Sequence, residues 1–265
     1  MTAQGSGGAG APARPARDSA DFSAQVRTMF DRIAGVYDRM NRVMTAGLDR
    51  RWRERAVERA ELEPGQNALD ACCGTGDLAF ELARAVGPDG RVVGCDFSEA
   101  MLELAREKEE AARIGGAASN GTGGGSAPVE FEWADALDLP YGDGSFDAVT
   151  VGFGVRNLAD LEAGLRELAR VLRPGGRLVI LEITQPTRPP LSTFFSLWFD
   201  RVVPLLGALA GDSDAYTYLP DSVRSFPPPS RLAEMMDGAG LERIRWLLLA
   251  GGIIAIHSGA KAGSS

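Results

Sequence analysis

The sequence predicts an α/β fold: a doubly wound, mostly parallel, Rossmann-like sheet with a C-terminal antiparallel hairpin and a helical N-terminal cap. Three observations predict it. Short apolar runs alternate with helix-length amphipathic segments from residue 66 to 184, the pattern of consecutive βαβ units. The glycine turn Cys73-Gly74-Thr75-Gly76-Asp77 joins the first run to the first helix of that series, where a backbone can approach a nucleotide closely. Near the end, 243–249 and 253–258 flank Gly251-Gly252, the arrangement of a hairpin that closes one edge of the sheet.

Taken in order, residues 1–20 are a low-complexity run of Gly, Ala, Pro and Arg that buries too little apolar surface to order itself, so a disordered tail is expected. The rest, 21–262, reads as a single domain. Over 21–60 apolar residues recur at helical spacing, from Val26, Met29, Phe30 and Ile33 to Tyr37 and Met40, with breaks near Gly35 and Gly47. This is the helical cap. Arg50, Arg51, Arg53, Arg55 and Arg59 then mark a solvated charged face or a surface for anionic lipid. Strands are predicted over 66–71, 91–95, 129–133, 146–152 and 177–184. Helices are predicted over 77–86, 98–113, 160–172 and 230–239. Residues 115–128 form a Gly-rich insertion expected to be flexible, and Arg173-Pro174-Gly175-Gly176 reads as a turn. The segment 185–228 is a substrate-side cap. Its stretch 191–210 is strongly apolar, suited to a buried helix or to a wall facing lipid, and Pro204 argues against a spanning helix.

Composition narrows the function classes. The 265 residues carry a net charge of −8, which argues against a nucleic-acid partner. The three cysteines, Cys72, Cys73 and Cys95, have neither disulfide nor zinc-site spacing, which fits a reducing cytoplasm. No metal is expected.

The chemistry concentrates at predicted strand ends. Asp70 stands just before the turn formed by Gly74, Thr75 and Gly76. A carboxylate there repels a pyrophosphate and suits a cation, so S-adenosylmethionine, with its ammonium and sulfonium, is the expected cofactor. Asp96 lies 22 positions after Gly74, placed to accept both ribose hydroxyls, or else to cap the following helix. Asp135 and Ala136 follow the third strand, where an adenine ring can be held; a plain turn aspartate is the alternative. Gly152 ends the fourth strand without a Cβ to keep the cofactor away. Arg156 and Asn157 follow it. Arg156 is read either as a structural ion pair or as the group that holds substrate or water. The lone histidine, His257, is read as structural.

Several motifs together resemble the ubiquinone/menaquinone biosynthesis C-methyltransferase family. They are the Val26–Trp52 segment, the Asp70–Phe80 turn, Phe153-Gly154-Val155-Arg156-Asn157, and Thr217-Tyr218-Leu219-Pro220-Asp221-Ser222 with Phe226-Pro227. The turn alone would indicate only the class I methyltransferase fold; the other motifs are more specific. The resemblance spans about 22–262, and the 115–128 insertion departs from it. It implies cofactor contacts at Thr75, Asp96, Asp135 and Ala136, and methylation of a ring carbon of a prenylated quinol. It also suggests that Tyr37 and Asp38 close over the cofactor, although a core role for Tyr37 is equally open. Some members carry a serine where this chain has Gly152, which favours demethylmenaquinol over the benzoquinol of ubiquinone biosynthesis. Arg156, Asn157 and Tyr37 are the expected catalytic residues. Expected partners are the quinol, a membrane touched peripherally from its inner face, and a second copy of the chain. The rivals are another small-molecule methyltransferase, an NAD-dependent oxidoreductase that Gly74-x-Gly76-x-x-Ala79 fits loosely, and a cofactor-binding regulator without turnover.

Overall fold

The computed structural model describes residues 20–118, 125–198, 201 and 213–263. The expected tail lies outside the described residues up to Ser19, as do 119–124 of the insertion and 199–200 and 202–212 of the apolar stretch.

The cap consists of α1 (Ala20–Met44) and α2 (Asp49–Ala60). The alternating core follows as β1 (Asn67–Ala71), α3 (Asp77–Val86), β2 (Arg91–Asp96), α4 (Glu99–Ala118), β3 (Val129–Trp133) and β4 (Phe146–Gly152). A 3-10 turn at Val155–Asn157 leads to α5 (Leu161–Val171) and β5 (Leu172–Ile183). Then come α6 (Leu191–Leu197), α7 (Ser213–Ser225), α8 (Pro229–Gly238), β6 (Leu241–Leu249) and β7 (Ile254–Lys261).

The strands form one seven-stranded sheet in the order β3-β2-β1-β4-β5-β7-β6. β1 pairs in parallel with both β2 and β4, whereas β7 runs antiparallel between β5 and β6. Burial on both faces explains why β1, β2 and β4 read as continuous apolar runs. One face packs Leu69, Val93, Val149 and Ile180 against Leu165 and Leu168 of α5 and Leu232 and Met236 of α8. The other packs against Ala56 and Ala60 of α2 and Leu78, Ala79 and Leu82 of α3. The strand order reverses between β1 and β4, so their carboxyl ends open the crevice in which such sheets hold ligands.

Three expectations about the elements are corrected. α1 runs unbroken through Gly35, where a break was expected, because a single glycine costs a helix only about 1 kcal/mol and Ile33 and Ala34 beside it are packed into the core. Gly115–Ala118 continue α4 instead of opening the insertion, as Ala117 and Ala118 are strong helix formers. The Arg173–Gly176 turn is absorbed into β5. Leu172 pairs with Phe146 and Arg177 with Ala148, so four residues bulge opposite Asp147 alone, with Gly175 at φ 80°.

α1 buries Phe22, Val26, Met29 and Ile33. It lies across the carboxyl end of the sheet, packed against Met101 of α4. No helix among the described residues is long and apolar enough to cross a membrane.

Candidate functional site

The turn after β1 is built on left-handed backbone at Cys72 (φ 54°), Gly74 (φ 54°) and Gly76 (φ 84°). A Cβ on Gly76 would sit 2.6 Å from Phe131 Cζ, so only glycine serves there. Asp96 locks the turn from β2. Its Oδ2 accepts the Gly74 N–H at 2.9 Å and its Oδ1 the Ser98 N–H at 2.9 Å. The helix-capping alternative for Asp96 thus holds in part, although Ser98 Oγ itself accepts the Met101 N–H. Burial pushes the Asp96 carboxyl up to about 6, against the bonds from Ser98 and Gly74.

Asp70 is 1% exposed and accepts from Thr150 Oγ1 at 2.7 Å through Oδ1. Its Oδ2 has no partner among the described residues. Burial, with Asp96 nearby, pushes it up to about 7 despite the Thr150 bond. The three thiols are free, and burial raises each of them, so none is poised as a nucleophile.

α1 is tied down at two points, one at the start of α4 and one on the glycine turn. Asp31 Oδ1 accepts from Ser98 Oγ at 2.6 Å, and Asp38 Oδ1 accepts from Thr75 Oγ1 at 2.6 Å. Lys108 of α4 joins the second contact, with Nζ 2.6 Å from Asp38 Oδ2, 3.0 Å from Thr75 Oγ1 and 2.8 Å from Asp77 Oδ1.

After β4, Phe153 turns the chain at φ 59° into the 3-10 turn that carries Arg156 and Asn157. Arg156 is 6% exposed. Its Nη1 donates to Glu182 Oε1 of β5 at 2.7 Å and to the Phe153 carbonyl, while its Nε has no partner among the described residues. Burial works against the guanidinium charge, but Glu182 with Tyr37 and Tyr218 together more than offsets it, so Arg156 stays protonated. Asn157 Oδ1 accepts from the Tyr218 hydroxyl at 3.0 Å.

Two cavities meet here. A narrow cleft of about 60 Å³ is lined by Gly74, Asp96, Asp135, Ala136, Gly152 and Asn157, among others. Of the described residues lining it, two are acids and none is basic, which suits a cation and opposes a pyrophosphate. The acidic, hydrogen-bond-accepting lining therefore fits S-adenosylmethionine. The second cavity, about 320 Å³, is an apolar chamber between α1, α2, α6 and α7, with Met29, Met44, Trp52, Phe195 and Trp198 in its wall. Phe30, Tyr37 and Phe153 line both. Burial raises the Tyr37 phenol, which therefore stays neutral.

The structure thus gathers Gly74, Asp96, Asp135, Ala136, Gly152, Asn157 and Tyr37 around the cleft, and Tyr37 with Arg156 around the chamber. Asp70, Thr75 and Gly76 line neither cavity. Asp70 sits beneath the turn, the Thr75 hydroxyl is turned to Asp38, and Gly76 backs onto Phe131. His257 is buried, hydrogen-bonded to the Pro229 carbonyl at 2.9 Å and stacked on Trp246. Burial lowers its proton affinity, which suits a neutral structural ring. Sequence reasoning missed Glu182 and Lys108, and it placed Tyr218 in a motif without a role. Glu182 left a signal: a lone acid in the apolar run Leu178-Val179-Ile180-Leu181-Glu182-Ile183.

A model of the ubiE/COQ5 methyltransferase family matches residues 18–261. A demethylmenaquinone methyltransferase of Thermus thermophilus is 46% identical over 232 residues, 87% of this chain and 99% of that protein. Another, from Desulfitobacterium hafniense, is 43% identical over 91% of each chain. A crystal structure of a SAM dependent methyltransferase from Aquifex aeolicus aligns with TM-score 0.53 at 20% identity, over 78% of this chain and 88% of that one. That likeness is one of fold.

Proposed function

The chain belongs to the ubiE/COQ5 methyltransferase family, a family of S-adenosylmethionine-dependent enzymes, and from that premise we propose that it methylates a ring carbon of demethylmenaquinol in menaquinone biosynthesis. The observation that carries this reading is the shared wall: a cleft whose described lining is acidic and holds no basic residue, and an apolar chamber, both touch Phe30, Tyr37 and Phe153. The names of the two relatives support the acceptor, and Gly152 in place of serine supports the menaquinol branch.

When bound, S-adenosylmethionine supplies an electrophilic methyl group. In the proposed site Asp96 accepts from ribose hydroxyls, while Asp135 and the Ala136 N–H hold the adenine edge. Gly74 and Gly152 let the backbone come close, and Asp70, raised to about 7, adds negative charge beneath the turn in its ionised form. Tyr37, Phe30 and Phe153 align the two ligands and exclude water, an effect worth about 7–11 kcal/mol in well-oriented reactions. A quinol carbon is a weak nucleophile until the neighbouring hydroxyl loses its proton. Arg156, fixed by Glu182, stabilises the phenolate that develops there, and Asn157 and Tyr218 complete the polar side of the junction.

Peripheral membrane contact belongs to the same reading. Val43 (63% exposed) and Leu48 (41%) stand beside Arg42, Arg50 and Arg51 at the turn between α1 and α2, a pairing suited to anionic lipid. The test is an anaerobic assay with S-adenosylmethionine and a short-chain demethylated naphthoquinol. The expected result is a product heavier by one methylene mass, methylated on carbon. No product, or equal methylation of unrelated hydroxyl and amine acceptors, would refute the assignment.

A further inference from the structure

Resting on that reading, a second problem arises inside the chamber. A para-quinol has two oxygens at opposite ends of its ring, and burying either without a partner costs about 1–3 kcal/mol. The chamber is apolar except at a few points. Among the described residues that line it, Arg53 and Arg156 are the only cations and Asp49 the only acid. Arg156 stands where the chamber meets the acidic cleft, through its neighbours Phe153 and Asn157. Arg53 approaches from α2.

The Arg53 side is a built polar pole. Arg53 Nη2 lies 2.6 Å from Asp49 Oδ2 and 3.1 Å from Asp77 Oδ2, and Asp49 Oδ1 accepts from Thr45 Oγ1 at 2.9 Å. The Arg53 and Asp49 side chains are 15% and 10% exposed. Burial would push the Asp49 carboxyl up, but Thr45 and Arg53 hold it below the ordinary range, so it is ionised. All of these bonds use one terminal nitrogen. Nε and Nη1 of Arg53 make no hydrogen bond among the described residues, so a guanidinium with five donors keeps most of them free. Thr45 Oγ1, the polar group beside them, is committed: it is within 2.8 Å of the Asn41 carbonyl and bonded to Asp49.

We propose that Arg53 is a substrate-positioning residue that donates to the second quinol oxygen, the one not adjacent to the carbon being methylated, while Arg156 faces the first. The two cations then fix which ring edge meets the methyl donor. Asp77 follows the glycine turn directly and is also held by Lys108, so the same guanidinium braces the acceptor pole against the donor turn.

The test is a two-by-two comparison of wild type and Arg53→Met against two soluble acceptors under anaerobic conditions. One is a 2-alkylnaphthalene-1,4-diol. The other is the matching naphthol that lacks only the hydroxyl beside the alkyl group and keeps the one beside the reacting carbon. Wild type is expected to favour the diol by about ten- to a hundredfold in kcat/KM, the weight of a charge-assisted hydrogen bond. In Arg53→Met that preference collapses to about threefold or less, because KM rises for the diol and not for the naphthol. Arg53→Lys, which keeps a donor, restores an intermediate preference and serves as the second variant should the methionine form fold poorly. A uniform loss on both acceptors, an unchanged preference in the variants, or no preference in wild type would overturn the proposal. Failure of wild type to methylate the diol at all would instead overturn the acceptor assignment on which it rests.

Discussion

Replacing Arg156 by alanine tests structure and chemistry at once, and the two can be separated. Glu182 is 1% exposed, and three donors converge on it: Arg156 Nη1 at 2.7 Å, the Ile183 N–H at 2.8 Å and the Arg156 N–H at 3.3 Å. Removing the guanidinium leaves a buried carboxylate with backbone donors alone. Breaking a buried pair in this way costs about 3–5 kcal/mol. In a domain of this size each kcal/mol moves the melting temperature by about 2–4 °C, so Arg156→Ala should melt about 6–20 °C lower. Lost activity in that variant would prove nothing about catalysis. Replacing both partners, Arg156→Met with Glu182→Met, removes the orphaned charge, and such exchanges are often neutral or stabilising. The double variant should therefore melt close to wild type, bind the methyl donor, and fail to transfer the methyl group. Differential scanning calorimetry and single-turnover product formation read the two outcomes. An Arg156→Ala protein melting within about 2 °C of wild type would refute the burial argument. A double variant with full turnover would refute the role of Arg156 at the phenolate.

Other outcomes follow from the same geometry. Because burial pushes Asp96 up to about 6 and the ribose hydroxyls need its ionised form, donor affinity should weaken as pH falls through about 6; titration calorimetry at several pH values checks this, and a flat profile counts against ribose binding. Asp70 is raised from the ordinary carboxylate range to about 7, so its contribution to stability is full below about 4 and is lost as pH rises through about 7. The melting temperature of Asp70→Asn should therefore gain on wild type between about pH 5 and pH 8, and a constant difference would contradict the shift. Gly152→Ser should fold normally, since a Cβ there meets only the tip of Leu78 at 3.2 Å, whereas Gly154→Ala drives a methyl to 2.4 Å from Cys72 Cβ and should lower the melting temperature and donor affinity. Asp38→Ala removes the α1 contact with Thr75 and Lys108 and should speed both binding and release of the donor in stopped-flow measurements; unchanged rates would mean that α1 does not pace exchange.

Much of the fold was legible because it rests on local pattern. β1, β2 and β4 read as apolar runs because both faces are covered, and the Gly74–Gly76 turn was visible through residues that tolerate positive φ. The cleft residues were readable because strand ends and ligand crevices coincide in this architecture. What escaped was non-local pairing. Glu182 lies 26 positions from Arg156, and only the adjacency of β4 and β5 brings them together. Lys108 reads as one more charge on the mixed-charge surface of α4, and its meeting with Asp38 and Asp77 depends on how α1 crosses the sheet. The same holds for Arg53: among five arginines of α2 and its start, nothing local distinguishes the one that turns inward.

The position of α1 has a kinetic consequence. The cleft beneath it holds about 60 Å³, and α1 is latched over it through Ser98 and Thr75, so the Asp38→Ala rates report whether α1 must lift to admit the methyl donor. The same helix carries Phe30 and Tyr37, which also wall the lipid-like compartment. A displacement of α1 would therefore open both compartments together and would link the residence times of the two guests.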